Sequence, residues 1–338
     1  MVFTMTNATA GNGVQAYLRG SDGSLVAVAN VPTGGTGVGH GLENQGALVL
    51  SSDGRFLYVV NPGSNDLTAF RVTDTTLQLT DRVPSGGTLP VSVAELNGIV
   101  YVLNRHGSES SGAASGPTIR GFQVSTSGTL NPIAGSAIQL QPADTNAAQI
   151  AISPDGLWIV VTERGTNQID IVPLDSNHRP GAPRSAPSSG NGPFGFAFSD
   201  QARLYVSEAA SGTTSAYDID PQGVPQVLSA AVPTQQRAAC WVVITPDNDL
   251  LYVSNTSSGS LTSYRIAQDG SLTRLISVAA TTVGGPLDAI ISTDGNYLSV
   301  LTTVGSIETF RIDATSGSLV SIQTVSGLPP GTNGLAGR

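Results

Sequence analysis

Short apolar runs alternate with turn-forming clusters along the whole chain, and one phrase of this kind keeps returning. SSDGRFLYVVNPGSNDLTAFRV starts at Ser51, LNGIVYVLN at Leu96, SPDGLWIVVTERGTNQIDIV at Ser153, SDQARLYVSEAASGTTSAYDI at Ser199, TPDNDLLYVSNTSSGSLTSYRI at Thr245 and STDGNYLSVLTTVGSIETFRI at Ser292. Gly54, Gly98, Gly156, Ala202, Asn248 and Gly295 mark the same place in each phrase, at steps of 44, 58, 46, 46 and 47 residues. The long step contains a Gly/Ser-rich insert between His106 and Thr118. Each unit reads as an apolar strand, a D-G type turn, a second strand such as FLYVV that ends near Asn or Glu, a Gly/Ser turn, a third strand such as LTAFRV, and a fourth strand with a Pro/Gly loop behind it. Four strands in a repeat of about 45 residues predict a blade of a β-propeller.

Six units are complete or nearly so. The seventh is split: GLPPGTNGLAGR at the end of the chain resembles the run into a first strand, as in GGTLPVSVAE, and VFTMTNATAGNGVQAYLRGSDGSLVAVANV at the start resembles strands two to four. Joining them closes the ring and removes two open sheet edges, which an open solenoid of the same repeats leaves exposed. The expectation is an all-β chain in which residues 1–338 form a single seven-bladed propeller of four-stranded antiparallel blades, closed by pairing of its first and last strands.

Composition narrows the partners. Charged residues are only 12% of the chain and glycine numbers 40 in 338, which suits short strands and tight turns. The net charge is −9 and all 15 basic residues are arginine. No basic cluster exists to displace counterions, so neither nucleic acid nor an anionic membrane is expected as a partner. No apolar run reaches membrane-spanning length, and no charged-then-apolar signal segment opens the chain, which leaves a cytoplasmic protein and an exported one both open. Cys240 is the one cysteine, so an intrachain disulfide is impossible. A monomer acting on a small molecule is the expected state.

Strands of a blade alternate in direction, so the D-G turns lie on one face, and the loops between second and third strands and between blades lie on the other, the top. The two largest elaborations, GGTGVGHGLENQG (34–46) and RHGSESSGAASGP (105–117), both fall there, and long loops on a rigid scaffold mark a working face. They carry His40 and His106; His178 sits in a bottom loop. His106 is a candidate general base. The ends of the second strands (Asn7, Asn61, Asn104, Glu163, Glu208, Asn255 and Thr302) predict a polar ring, with Arg105 and Arg164 following two of them, and the starts of the first strands add Gln45, Gln149, Trp241 and Asp288. Such a ring suits an anionic or polyoxygenated ligand, because arginine offers a planar fork to carboxylate or phosphate; mutual pairing of the buried polar groups is the structural alternative. Glu163 or Glu208 is a candidate for activating water. There is no G-x-S-x-G elbow, no histidine pair with zinc spacing and no dinucleotide glycine motif. No cofactor is expected; a divalent cation held by Glu163, Glu208, Asn255 and Asp288 is the less favoured option.

The phrases SPDGLWIVVTERGTNQIDI, PFGFAFSDQARLYVSEA, CWVVITPDNDLLYVSNTSSGSLTSYRI and GGPLDAIISTDGNYL resemble the lactonase family of seven-bladed propellers, which includes the propeller-type 6-phosphogluconolactonases and the fungal carboxymuconate lactonizing enzyme. The likeness spans nearly the whole chain. The phosphogluconolactonases carry an N-R-G-like phrase after a second strand; Glu163-Arg164-Gly165 holds that place here, with Glu where Asn would stand, and Asn104-Arg105-His106 is a related phrase. The resemblance implies a hydrolase of lactones or similar activated esters at the top of the channel, promiscuous enough to take phosphotriesters. Arg105 and Arg164 would orient the substrate, His106, Glu163 or Glu208 would act as base, and Gln45, Asn61, Asn104, Gln149, Trp241, Asn255, Asp288 and His40 would contact the substrate. A cycloisomerase of the carboxymuconate type and a non-enzymatic binding platform are the alternatives, since fold does not fix function.

Overall fold

The computed structural model describes residues 1–107, 116–141 and 143–338, so the middle of the 105–117 insertion lies outside the described residues. Seven antiparallel sheets stand in a ring. Blades 1 to 6 follow one another along the chain, with inner strands Leu48–Leu50, Thr88–Leu96, Ala147–Ile152, Pro193–Phe198, Ala239–Ile244 and Pro286–Ile291. Blade 7 is the split one: the inner strand Asn333–Gly337 pairs with Val2–Met5, which is followed outward by Gly13–Arg19 and Leu25–Pro32. Val2 stands opposite Gly337 and Phe3 opposite Ala336, so the ring closes as the split phrase predicts. The outer strand of blade 2 is broken into Leu130–Pro132 and Ile138–Gln139, both on Thr118–Val124. Among the described residues the helical content is one 3-10 turn, Thr256–Ser258.

Burial is deepest in the second strands and falls off toward the outer edge of each blade, and this explains the two kinds of hydrophobic pattern. Second strands are covered on both faces by neighbouring blades, so Phe56–Asn61 and Leu250–Asn255 are buried throughout and read as continuous apolar runs. Outer strands such as Leu77–Pro84 are mostly exposed or half-buried and carry the Thr, Gln and Arg.

The recurring Ser/Thr-x-Asp-Gly phrase builds the turn from first to second strand. At Ser51 the hydroxyl donates to Asp53 Oδ1 at 2.7 Å and accepts from the Phe56 N–H at 2.9 Å, while Asp53 Oδ1 also accepts from Arg55 N–H at 2.9 Å. Ser153–Asp155, Thr245–Asp247 and Ser292–Asp294 repeat the hydroxyl-to-carboxylate bond. The fourth position has left-handed φ in all six units, including the two without glycine, Ala202 at 59° and Asn248 at 61°. A β-carbon is strained there, so Ala202→Gly is expected to raise stability by about 0.5–1 kcal/mol. Calorimetry checks this; an unchanged or lower melting temperature contradicts it.

Candidate functional site at the top of the channel

Six of the seven inner strands carry a register irregularity near their top ends, between Pro90 and Ser92, Ala147 and Gln149, Pro193 and Phe196, Ala239 and Val242, Pro286 and Ala289, and, in blade 7, Asn333 and Ala336. A bulge adds local twist and re-aims side chains. Gln149, Phe194, Trp241 and Asp288 lie at or beside these irregularities.

The channel they surround is crossed by the loop that precedes blade 1. Gln45 reaches over the axis to blade 5, where its Nε2 donates to the Val242 carbonyl at 2.9 Å and its Oε1 accepts from Val242 N–H at 3.1 Å. The side-chain amide thereby acts as one residue of a neighbouring strand. Gln149 does the same for blade 4, accepting from Phe196 N–H at 2.6 Å and donating to Phe196 O at 3.0 Å. Ser92 Oγ holds the Gln45 carbonyl at 2.7 Å, Trp241 Nε1 donates to Asn44 O at 2.8 Å, and Asn44 Nδ2 donates to Val91 O. Leu42 and Asn44 are buried, whereas His40 and Glu43 face solvent. The segment is a fixed partition across the channel.

On its upper side two guanidinium groups converge on one residue. Arg164 Nη2 meets Glu43 Oε2 at 2.6 Å, and Arg105 Nη2 donates to the Leu42 carbonyl at 2.6 Å and to the Glu43 carbonyl at 3.4 Å. Arg164 also lies 5.1 Å from the centre of the Phe194 ring, which packs edge-on against Trp241 at 5.0 Å, so its apolar face is held. Burial and the charge of Arg164 hold Arg105 below the usual arginine range. The hydrogen bond from Arg164 holds the Glu43 carboxyl below the usual carboxylate range, against an opposing effect of partial burial. Both Nε–H groups, of Arg105 and of Arg164, are buried and meet no acceptor. Buried donors are normally paired; two neighbouring guanidiniums with one carboxylate to balance them are chemistry that would suit an anion or a polarised carbonyl. His106 borders this region, half-buried with Nδ1 unpartnered. His40 is exposed, its Nδ1 3.1 Å from Gly41 O.

The polar ring read at the ends of the second strands is a different structure. Asn61, Asn104, Glu163, Glu208 and Asn255 are 0% exposed and are tied to the blades themselves. Asn61 Nδ2 donates to Asp66 Oδ1 at 2.6 Å and Thr68 Oγ1 at 2.9 Å. Asn255 Nδ2 reaches Thr262 Oγ1 at 2.8 Å, and Asn104 Nδ2 reaches Ser85 O at 3.3 Å. Glu208 accepts from Ser215 Oγ at 2.6 Å, Thr213 Oγ1, Ser188 Oγ at 2.9 Å and Gly190 N–H at 2.9 Å. Three of these bonds fall on Oε1 and one on Oε2, and the side chain is fully covered by its own blade. The end of a second strand lies one strand out from the axis, and its polar side chain closes the loops of its own blade. Glu43 is the reverse case: it lies in a loop, outside every repeat phrase, and reaches the site only because φ of 52° turns the chain over the channel.

Glu163 faces Asp170 across the second and third strands of blade 3. Glu163 Oε1 and Asp170 Oδ2 are buried and meet no donor, and a proton shared between the two carboxyls would satisfy both. Burial foremost, then the negative charge of Asp170, raises the Glu163 carboxyl above its ordinary value of 4.5. The folded chain therefore keeps a proton that the unfolded chain has lost, and this contribution to stability decays as pH rises from the unfolded value through the raised one. Glu163→Gln supplies a permanent N–H to Asp170. Its melting temperature is expected to fall less steeply than that of the wild type between pH 5 and 9, the remaining slope coming from other raised carboxyls such as Asp288; parallel curves contradict the shared proton.

Comparison with known proteins follows the same lines. The family model described as Lactonase, 7-bladed beta-propeller matches residues 11–112, 116–230 and 224–332. A candidate 6-phosphogluconolactonase from Bacteroides fragilis NCTC 9343 superposes with a TM-score of 0.77 at 19% identity, covering 99% of this chain and 96% of that one. The periplasmic gluconolactonase PpgL of Pseudomonas aeruginosa gives 0.76 at 18%, covering 98% of each chain. At such identities the likeness to these structures concerns the fold. No curated protein matches the sequence. Among the described residues, no group of three or more His, Cys, Asp or Glu is placed to hold a metal ion.

Proposed function

Because the chain belongs to the lactonase family of seven-bladed β-propellers, we propose that it hydrolyses lactones, and that it does so on the upper side of the partition, at Arg105, Arg164 and Glu43. The observation that carries this reading is the convergence of two guanidiniums, those of Arg105 and Arg164, on the one segment that carries Glu43. A lactone carbonyl oxygen seated on them is polarised, and the negative charge that grows on it during attack is met by donors already in place. Glu43, ionised and exposed beside Arg164, takes a proton from a water molecule as the water oxygen bonds to the carbonyl carbon. The ring C–O bond then breaks, and the departing alkoxide takes that proton back from Glu43. A carboxylate on the substrate is a second acceptor for the same guanidiniums, and the exposed mouth also admits other activated esters, phosphotriesters among them.

A panel of γ- and δ-lactones, activated esters and a phosphotriester, run with and without chelator, tests the proposal. Turnover of at least one lactone is expected, unchanged by chelator, and Glu43→Gln is expected to lower kcat about a hundredfold. The acid limb of the wild-type rate profile should fall below pH 4.5, because the Arg164 bond lowers the carboxyl. No turnover across the panel would sink the proposal; full activity in Glu43→Gln would remove Glu43 from it.

A further inference from the structure

Below the partition the channel continues as a separate chamber of about 310 Å³ that opens on the bottom face. Its apolar lining includes the half-buried Val49, Leu50, Ala151 and Ile290, and its polar side chains are Gln45, Gln149, Asp288 and, further along, Glu95. Both glutamine amides are committed to strand backbones, and Glu95 accepts from Ser52 N–H at 2.7 Å and Gly98 N–H at 2.8 Å. Asp288 is left. It is 3% exposed and accepts from its neighbour Ala289 N–H at 3.0 Å, from Leu335 N–H at 3.2 Å and from Gly46 N–H at 3.4 Å. Among the described residues no Arg or His side chain forms an ion pair with it.

Asp288 is therefore a buried carboxyl held by three backbone N–H groups and by no cation. Ionised, it is a buried charge with no counter-ion, which is costly. Burial pushes the carboxyl up to about 7, which is the same deficit expressed as a titration. A ligand that brings a positive N–H group and an apolar body corrects it, and the chamber offers room for such a body beside the carboxyl.

We propose that this lower chamber is a binding site for a small organic ammonium ion, whose nitrogen seats on Asp288 and whose alkyl chain lies against Val49, Leu50, Ala151 and Ile290. The proposal is independent of the lactone reaction, since the partition separates the two compartments. The net charge of −9 favours a cationic ligand throughout.

The probe is n-butylammonium, compared with n-butanol as its neutral counterpart and with sodium chloride at equal ionic strength. Calorimetric titration and the shift in melting temperature are the readouts. Saturable binding of n-butylammonium is expected, at least tenfold tighter than that of n-butanol, tighter at pH 8 than at pH 5.5 because the carboxyl ionises in that interval, and at least tenfold weaker in Asp288→Asn. Ala151→Leu, which fills the chamber without touching the carboxyl, should abolish binding as well and serves if Asp288→Asn does not fold. Equal binding of n-butanol, undiminished binding in either variant, or no saturable binding would overturn the proposal and leave a solvent-filled channel.

Discussion

Replacing both guanidiniums, as Arg105→Gln with Arg164→Gln, is expected to lower kcat/KM for lactone hydrolysis about a thousandfold, equivalent to roughly 4 kcal/mol of transition-state stabilisation. Removing one donor to a developing oxyanion costs about a hundredfold or more, and the two act on the same oxygen, so the single variants should each lose most of what the pair loses. Arg164→Lys should restore only part of the rate, since an ammonium reproduces the charge but not the planar fork, and it gives up the stacking on Phe194. If the guanidiniums serve growing charge, the loss falls mainly on kcat; if they serve only a ground-state carboxylate, KM alone rises. Unaltered kinetics in the double variant would remove the upper mouth as the reaction site.

The largest effect on stability is expected at Gly195, in the inner strand of blade 4. A methyl group there would be driven into Gln45 Oε1, and it would lie 2.5 Å from the Cys240 carbonyl and 3.1 Å from Trp241 Cα. Two inner strands and the bridging amide meet at this point, and backbone cannot yield as a side-chain tip can. Gly195→Ala is therefore expected to cost about 3 kcal/mol and to lower the melting temperature by several degrees. It should also disturb the site above, because the amide it displaces holds the segment that presents Glu43. Adding Gln45→Ala should recover only part of the stability, since the clash with blade 5 remains. A melting temperature equal to that of the wild type would show that the strands part more readily than their contacts imply.

The fold was legible because four of the seven blades repeat one turn chemistry: the Ser/Thr-x-Asp phrase specifies a hydrogen-bonded corner by local geometry alone, and the split phrase placed the closing strand. The site was legible only in part. Gln149 and Trp241 stand at the axis because they lie near the starts of inner strands, whose place follows from the repeat, whereas Arg105 and Arg164 come from second strands and reach Leu42 and Glu43 through their long side chains. Asn61, Glu208 and Asn255 come from the same kind of position, yet they are consumed by hydroxyl and amide partners one strand further out; which way a strand-end side chain turns depends on loops that do not repeat. Asp288 was found as a residue, but its placement beneath the partition depends on Gln45 spanning from one side of the ring to the other. No local pattern announces a contact between residues 45 and 242. A polar tripeptide, Glu43-Asn44-Gln45, directly before an inner strand was the available signal.

The seam between Val2–Met5 and Asn333–Gly337 has a kinetic consequence. The final strand can dock only after the remainder of the ring has been laid down, so this contact has nearly the greatest sequence separation the chain permits. The equilibrium cost of closing so long a loop grows only logarithmically, but pairing of this kind slows folding. Until it forms, Val2–Met5 offers an unpaired backbone edge to any other chain in the same state. Refolding yield is therefore expected to fall as protein concentration rises, and to recover when a peptide corresponding to residues 330–338 is supplied in excess to occupy that edge.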